Sequence, residues 1–448
     1  MAASGRAVVI GASLGGLLAA RALAESFAEV ILLDRDTPPD EPVHRRGVPQ
    51  GRHVHVLLDR GRQALESLFP ELGAELYRLG ATPVDLHGQV HWYNDGHRML
   101  PARSDLTAFG MSRPLLEQVV RQRTVALPGV RVVPDCEVTG LLATDDHRRV
   151  TGVRLAPRDG RPSTLTADLV VDAGGRASRS PIWLTELGYP TVEQERVEVG
   201  VTYVTRRYRR EAGQLEDKLG VLSNAMPGCP RYGVVAPQEG GRFAVTMAGI
   251  LGEEPPVDEA GFVRYATSLA APQVGELVRH AQPLDEPMLM RFPASVRRRY
   301  ERLPRFPDGH LVFADALCSL NPVYGQGITV AAVQALLLRR LLARGGRHRL
   351  ARRFFRRAAR VIDAPWSIAV GTDLRFPGVT GRRTRKVRFV NAYLSRLHAA
   401  AAHDVALGAA FLRVINLIDP PARLLGPGVM LRVLLNGRRR PSMPSTAG

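Results

Sequence analysis

The stretch Ala7-Val-Val-Ile-Gly-Ala-Ser-Leu-Gly-Gly, continued by a helical pattern to Leu23 and by Glu29-Val-Ile-Leu-Leu-Asp34, decides the fold of this chain. A second apolar run ends in Asp34, 23 positions after Gly11. Dinucleotide-binding βαβ units place an acidic residue at this kind of distance, where it accepts a hydrogen bond from a ribose hydroxyl. The glycines let the backbone approach a pyrophosphate at the helix N-terminus. We therefore predict a dinucleotide-binding unit, in which Ser13 stands in place of a usual glycine and the turn contains Gly11, Ser13, Gly15 and Gly16.

Two later apolar runs also end in an aspartate. Leu311-Val-Phe-Ala leads to Asp315, and a segment with an Asn-Pro turn and two glycines then opens a helical pattern at Ile328. Ala167-Asp-Leu-Val-Val leads to Asp172 and a further glycine turn. A carboxylate beside a glycine-bearing helix start offers a hydroxyl acceptor and main-chain N–H donors together. We expect the segment around Asp315 and the N-terminal unit to bind one cofactor.

Arginine dominates the charge of this chain of 448 residues, whose formal net charge is +18. Lys218 and Lys386 are its only lysines, and no nucleic-acid-binding motif is present, so we expect no nucleic-acid partner. The three cysteines lack metal-ligand spacing. His53 and His55 have no cysteine and only Asp59 nearby, so we expect no metal site.

The sequence also bears on localisation. The N-terminus leads directly into a predicted strand, and no run approaches the ~20 apolar residues of a spanning helix. We expect a cytoplasmic protein. The segment 331–362 contains ten arginines and no acidic residue, so contact with a membrane surface is an alternative to a solvated helix face.

Four motifs occur in a characteristic order: GASLGGLLAARAL (11–23) with Asp34, SRPLLE (112–117), ADLVVDAGGRAS (167–178) and ADALCSLNPVYGQGITVAAVQA (314–335). In this order the chain resembles FAD-dependent monooxygenases of the aromatic-hydroxylase superfamily. The segment RGVPQGRHVHVLL (46–58) and the NPVYGQG form of the last motif are closer to bacterial polyether epoxidases, such as the lasalocid epoxidase, and to squalene epoxidase.

The resemblance implies an α/β fold. It consists of a Rossmann-like FAD-binding domain of the glutathione-reductase type, an interleaved antiparallel-sheet substrate domain and a C-terminal helical segment. We assign residues 1–82, 100–185 and 300–345 to the FAD-binding domain, 83–99 and 186–299 to the substrate domain, 346–435 to the C-terminal helical region and 436–448 to a disordered tail.

The resemblance also implies roles around a non-covalent FAD. The glycine turn holds the pyrophosphate, Asp34 the adenosine ribose and Asp315 the ribityl chain. Arg113 lies near the pyrophosphate, Asp172 and Gly174 near the flavin, and Pro322, Gly325 and Gly327 along the isoalloxazine. We complete the cofactor-binding set with Gly15, Arg35, Arg46, Gln50 and Val138.

Two positions depart from the family motifs. Ala314 stands where the family has glycine before the aspartate, and Ala173 separates Asp172 from Gly174. The second change affects the turn that contacts nicotinamide in aromatic hydroxylases. NAD(P)H is therefore expected to reduce the flavin either directly or through a separate flavin reductase or electron-transfer partner.

The resemblance favours chemistry in which reduced flavin and O₂ form a C4a-hydroperoxide. No catalytic residue is assigned with certainty, and the candidates lining the site are Tyr203, Met288, Arg291, Pro322 and Tyr324. We expect epoxidation of a hydrophobic polyene or terpenoid intermediate in secondary metabolism, such as antibiotic biosynthesis. The alternatives are aromatic hydroxylation and saturation of isoprenoid double bonds by a flavin-dependent reductase. Halogenation is disfavoured because neither lysine follows a strand of the nucleotide-binding domain.

Overall fold

The protein was analysed as a computed structural model that describes residues 4–45, 47–157 and 160–436. The chain divides into two compact units. The first comprises residues 4–82, 110–199 and 292–369, and the second comprises residues 83–109, 200–291 and 370–436. Of the tail predicted at 436–448, only Asn436 lies within the described residues.

The elements are given in chain order. The strands are β1 (Arg6–Ile10), β2 (Glu29–Leu33), β3 (Thr82–Asp85), β4 (Val90–Asn94), β5 (His97–Arg98), β6 (Thr107–Gly110), β7 (Val130–Val133), β8 (Cys136–Ala143), β9 (Val150–Pro157), β10 (Ser163–Thr166), β11 (Leu169–Asp172), β12 (Gln194–Arg209), β13 (Gly220–Ser223), β14 (Arg231–Gln238), β15 (Arg242–Gly249), β16 (Met288–Arg298), β17 (His310–Val312) and β18 (Cys318–Ser319). The helices are α1 (Leu14–Leu23), α2 (Asp59–Leu68), α3 (Leu72–Arg78), α4 (Arg113–Val125), α5 (Ser180–Glu186), α6 (Glu259–Thr267), α7 (Pro272–His280), α8 (Gly327–Gly345), α9 (Leu350–Asp373), α10 (Arg385–Ala401), α11 (Val405–Ile415) and α12 (Pro427–Asn436).

The first unit is built on a parallel sheet with the strand order β17-β11-β1-β2-β7. Ile10 at the end of β1 pairs with Leu33 of β2 and with Asp172 of β11. Asp172 in turn pairs with Val312 of β17. Because the strands are parallel and end in register, the residues that follow them meet at one edge of the sheet. This confirms the predicted mixed α/β fold with a parallel sheet and explains how motifs three hundred residues apart come together.

The apolar character of these strands follows from their burial on both faces, as is usual for parallel sheets. Val8 and Ile31 are fully buried and join a hydrophobic cluster with Val138 of β8 and Trp183 of α5. On the other side, α1 packs against α8. The helix that follows the glycine turn is thereby held against the helix that follows the last motif.

The second unit contains a mixed sheet. Three strand pairs of this sheet are antiparallel. From Gly200 onward, β12 pairs with β15, β15 pairs with β14, and β14 pairs with β13. The next pair, β13 with β4, is parallel, so the prediction of an antiparallel sheet is wrong at this position. These two strands lie far apart in the sequence and are not joined by a hairpin turn, which would have required an antiparallel pair.

The two faces of this sheet differ. On the first face, Val235, Val245 and Met247 pack with residues of α6 and α7 in a buried hydrophobic cluster. Side chains alternate along a strand, so the neighbouring residues belong to the opposite face. We call this the second face, and it carries Tyr203, Thr205, Leu222, Tyr232, Val234, Thr246 and Ala248.

The C-terminal helices divide between the units. Helix α9 crosses the boundary at 369–370, and α10, α11 and α12 belong to the second unit. The region 346–435, predicted as a separate helical part, is therefore shared between the two units in the structure. Within the part of the chain that the structure describes, no helix combines the length and apolarity needed to cross a bilayer.

Candidate cofactor site

The glycine turn after β1 is packed too closely for side chains at two positions. Gly11 has φ +93°, and a Cβ there would lie 2.9 Å from the main-chain oxygen of Ala173. A Cβ on Gly16 would lie 1.7 Å from the main-chain oxygen of Gly11. The turn therefore needs glycine both for its conformation and for its contact with the Asp172 turn.

Asp34 is tied to this turn. Its Oδ2 accepts a hydrogen bond of 2.6 Å from the N–H of Ala12, and its Oδ1 accepts one of 2.9 Å from the N–H of Asp36. The Nη1 atom of Arg45 lies 3.4 Å from Oδ2 of Asp34. Asp34 is only 9% exposed, so its carboxylate is a fixed acceptor at the end of β2.

A buried ionic cluster lies beside the turn. Ser13 Oγ donates to Glu117 Oε2 over 2.9 Å and accepts from Arg113 Nη2 over 3.1 Å. Arg113 Nε also donates to Glu117 Oε2 (3.2 Å), and Arg45 Nη2 lies 3.0 Å from Glu117 Oε1. The serine that replaces a family glycine thus connects the turn to α4. We call Ser13, Arg45, Arg113 and Glu117 the arginine cluster.

A pocket opens over the arginine cluster. Its walls include Arg45, Arg113 and Arg121, together with His44 and Glu117. Three guanidinium groups beside a helix N-terminus provide the charge and the N–H donors that a pyrophosphate requires.

The segment that follows Arg45 runs from this cluster to the last motif. A Cβ on Gly51 would lie 3.7 Å from Arg113 Cγ, and one on Gly325 would lie 3.5 Å from the main-chain oxygen of Val56.

Burial lowers the pKa of His53 to about 3, with further lowering by the nearby His55. Burial and the charge of Arg113 lower the pKa of His55 to about 4. Both rings are neutral at pH 7. Within the described ranges, no group of three His, Cys, Asp or Glu side chains could hold a metal ion.

Asp172 is a structural acceptor in the second turn. Its carboxylate accepts hydrogen bonds from the N–H of Gly174 (2.8 Å), from Ser178 Oγ (2.6 Å) and from Ser180 Oγ (2.5 Å). The side chain is only 1% exposed. It shapes the turn that contacts Gly11, and its oxygens are already used within the protein.

The last of the four motifs places Asp315 beside the start of α8. A Cβ on Gly327, the first residue of the helix, would lie 3.8 Å from Asp315 Oδ1. Burial raises the pKa of Asp315, and the charges of Arg113 and Arg176 oppose this rise. Ala314 has φ +55°, a left-handed conformation that explains why the family has glycine here. The carboxylate of Asp315 therefore lies beside the main-chain N–H groups of the first turn of α8.

The remaining predicted residues occupy different environments. Arg35 is exposed, Gln50 is half-buried and Arg46 lies outside the described residues. The side chain of Val138 lies in the hydrophobic cluster of the first unit, which leaves only its main chain for a ligand.

The five candidates for lining the substrate site are distributed over both units. Pro322 is exposed and Tyr324 half-buried in the first unit, while Tyr203 is buried and Met288 half-buried in the second. Arg291 is exposed and forms a two-pronged ion pair with Glu254, with both N–O distances at 3.1 Å. This pair reduces the suitability of Arg291 for orienting a substrate.

Comparison with known proteins identifies the family. The family described as the FAD binding domain matches residues 5–347. The chain belongs to this family. It is 34% identical to the protein Rv3254 of Mycobacterium tuberculosis over 463 residues, covering 98% of this chain and 97% of that protein. It is 29% identical to the kynurenine 3-monooxygenase of Salinispora arenicola over 352 residues, covering 74% of this chain and 71% of that enzyme.

A solved structure of a flavin-dependent enzyme shares the fold. The flavin-dependent brominase Bmp2 superposes with a TM-score of 0.66 and 12% identity, covering 96% of this chain and 98% of that one. The family and its relatives make the chain an FAD-dependent flavoprotein of the aromatic-hydroxylase type.

The residues present fit FAD. The close packing at Gly11 and Gly16 leaves a turn without side chains, which a pyrophosphate can approach. The buried Gln326 Oε1 has no hydrogen-bond partner among the described residues. Such an atom costs about 1–3 kcal/mol when left unpaired. A cofactor with a polar ring can supply this partner. Asp34, Arg45, Arg113, Asp315 and the start of α8 would hold it.

Sequence reasoning missed three contributors to this site. Glu117 lies four residues after Arg113 on α4, so helical spacing could have paired them. Arg45 adjoins the predicted Arg46 and carries the contact with Asp34. Arg298 joins two motifs by donating to the main-chain oxygens of Ala316 (2.8 Å) and Arg176 (3.2 Å). No local pattern indicates the role of Arg298, because it depends on contacts between distant segments.

Proposed function

We propose that this chain is an FAD-dependent monooxygenase that converts an alkene of a hydrophobic polyene or terpenoid intermediate into an epoxide. When bound, FAD supplies the activation of molecular oxygen. The protein then has to bind the cofactor, orient the substrate and exclude water. Electrons come from NAD(P)H, either directly or through a separate reductase.

The chemistry of the second face carries the alkene assignment. Leu222, Val234 and Ala248 are apolar, and Val234 is half-buried and therefore reachable. Thr205 and Thr246 share a hydrogen bond of 2.6 Å between their hydroxyls. Arg207, which the strand pairing also places on this face, holds the carboxylate of Asp285 in an ion pair of 2.5 Å, and the other side chains named for this face include no carboxylate and no imidazole. A phenol would require such a group as a base, whereas an alkene requires only an apolar surface.

Aromatic hydroxylation is the second candidate. It is supported by the similarity to the kynurenine 3-monooxygenase of Salinispora arenicola and by the hydroxyls of Tyr203 and Tyr232 on the second face. A reductase that saturates isoprenoid double bonds is a third possibility, distinguished by its product. Halogenation is disfavoured because both lysines, Lys218 and Lys386, belong to the second unit rather than to the FAD-binding unit.

Product analysis under ¹⁸O₂ tests the proposal. Purified protein is supplied with NADPH, a flavin reductase, and a panel of polyenes and phenols. We expect an epoxide that carries one labelled oxygen from at least one polyene. Conversion of phenols with every polyene left unchanged would replace epoxidation by aromatic hydroxylation. Gain of hydrogen without oxygen would identify a reductase.

A substitution on the second face tests whether this face contacts the substrate. Val234→Phe adds bulk to a half-buried apolar position, and we expect turnover to fall by about tenfold or more while FAD stays bound. Val257→Phe, at a position that is 52% exposed in the same unit, is the matched control. Equal turnover of both variants would show that the second face does not contact the substrate.

A further inference from the structure

Helix α12 presents leucines to solvent. Leu431, Leu434 and Leu435 are 58%, 60% and 66% exposed. Their spacing of three and four residues places them on one side of the helix. Val433, on the other side, is only 2% exposed. The helix therefore packs with one apolar side and leaves a second one uncovered by the described residues.

The orientation of this helix is fixed by polar contacts. Arg432 Nη1 lies 3.1 Å from Asp404 Oδ2, which also accepts from Asn436 Nδ2 over 3.0 Å. Asp404 is the N-terminal cap of α11, where it accepts from the N–H of Ala406 over 2.9 Å. The leucines are thus held outward by the packing of the unit and do not belong to a frayed helix end.

The surrounding sequence is strongly basic. Residues 382–436 contain nine Arg or Lys and two Asp. Helix α10, which packs against α12, exposes Phe389 (57%) together with Arg385, Lys386, Arg388 and Arg396. None of these four basic side chains forms an ion pair with another described residue. We call the exposed residues of α10 and α12 the C-terminal surface.

We propose that the C-terminal surface docks on an anionic lipid bilayer. The leucines enter the boundary between headgroups and acyl chains, and the basic side chains bind the anionic headgroups. A second copy of this chain is a poorer occupant, because two equally basic surfaces repel each other. The arginine-rich helix α9 lacks the apolar side chains that this docking requires, since no large hydrophobic side chain is exposed among the described residues 331–369.

Co-sedimentation of the full-length protein with lipid vesicles tests this proposal. One set of vesicles contains phosphatidylcholine alone, and the other an equal mixture with phosphatidylglycerol. We expect binding to the mixed vesicles at low salt and its loss at high salt, because salt screens exposed charges. The triple variant Leu431→Ser, Leu434→Ser, Leu435→Ser should lose about tenfold or more in vesicle affinity.

Two further variants separate charge from apolar contact. Arg385→Gln, Lys386→Gln, Arg388→Gln should weaken binding to mixed vesicles. The matched control is Arg352→Gln, Arg356→Gln, Arg360→Gln, which removes the same charge from exposed positions of α9 and should leave binding unchanged. Retained FAD content in each variant confirms that it is folded.

Four results would overturn the proposal. The first is that the leucine variant binds vesicles as well as the wild type. The second is that the wild-type protein is a dimer and the leucine variant a monomer, which would identify a second copy as the occupant. The third is that a chain ending at Asn436 binds vesicles when the full chain does not, which would identify residues 437–448 as the occupant. The fourth is that no form of the protein binds either kind of vesicle.

Discussion

Gly15 and Ala314 lie face to face where the glycine turn meets the last motif. A Cβ added to Gly15 would lie 3.2 Å from the Cβ of Ala314, closer than ordinary van der Waals contact. Ala314 itself has φ +55° in place of the family glycine. The chain therefore combines a strained alanine with a glycine that leaves room for it.

This contact predicts a specific rescue. Gly15→Ala should lower the free energy of unfolding by about 1–3 kcal/mol, because the two methyl groups overlap. Adding Ala314→Gly should remove most of that loss. Ala314→Gly alone should change stability little, since relief of left-handed strain offsets the greater flexibility of glycine. Urea unfolding of the four proteins measures the coupling.

Gly16→Ala is the control for this rescue. Its Cβ would meet the main-chain oxygen of Gly11 at 1.7 Å, and removal of the Ala314 methyl cannot relieve that clash. Equal rescue of both variants would show that Ala314→Gly stabilises the chain generally and does not act through Gly15.

Arg113 should contribute directly to FAD affinity. Arg113→Ala removes a buried guanidinium from the arginine cluster, and we expect the FAD dissociation constant to rise by one to two powers of ten, equivalent to about 1.5–3 kcal/mol. Arg123→Ala is the matched control, because Arg123 lies on the same helix α4, forms an ion pair with Glu75 and does not line the pocket. Titration of each apoprotein with FAD measures the dissociation constant. An equal increase in the Arg113 variant and in the control would contradict a special role for Arg113.

The buried histidines should make the apoprotein sensitive to acid. Burial lowers the pKa of His53 from 6.5 to about 3, so the unfolded chain binds its proton more tightly than the folded chain does. The stabilisation is fully present above pH 6.5 and is lost as pH falls towards 3.

His53→Gln should therefore weaken the dependence of the unfolding free energy on pH between about 4 and 6.5. His403→Gln, which replaces an exposed histidine, is the control. Parallel pH dependences of the wild type and His53→Gln would show that His53 is not buried as the structure has it.

NAD(P)H should reduce the bound flavin slowly in the absence of substrate and reductase. The sequence contains no second strand–glycine turn–helix unit with a following acidic residue, and the carboxylate of Asp172 is used by Gly174, Ser178 and Ser180. Anaerobic stopped-flow mixing with NADPH measures this rate. Rapid reduction by NADPH alone would contradict the prediction.

Much of the cofactor site could be predicted from local sequence. The apolar runs at β1, β2 and β11 and the aspartates after them indicate parallel strands that end at one edge. The arginine cluster could not be predicted in full, because Ser13, Arg45 and Glu117 come from three segments that only tertiary packing brings together. The parallel pair of β13 with β4 also escaped prediction, since strand alternation is the same in both orientations.

The flavin content of the purified protein tests the central claim that the three motif segments form one FAD site. Heating should release FAD into the supernatant in about equimolar amount, because the cofactor is held without a covalent bond. Asp315→Ala should retain less FAD, with a loss of about 1–3 kcal/mol of binding free energy. If the wild-type protein releases no flavin and its apoprotein does not bind added FAD, the account is contradicted.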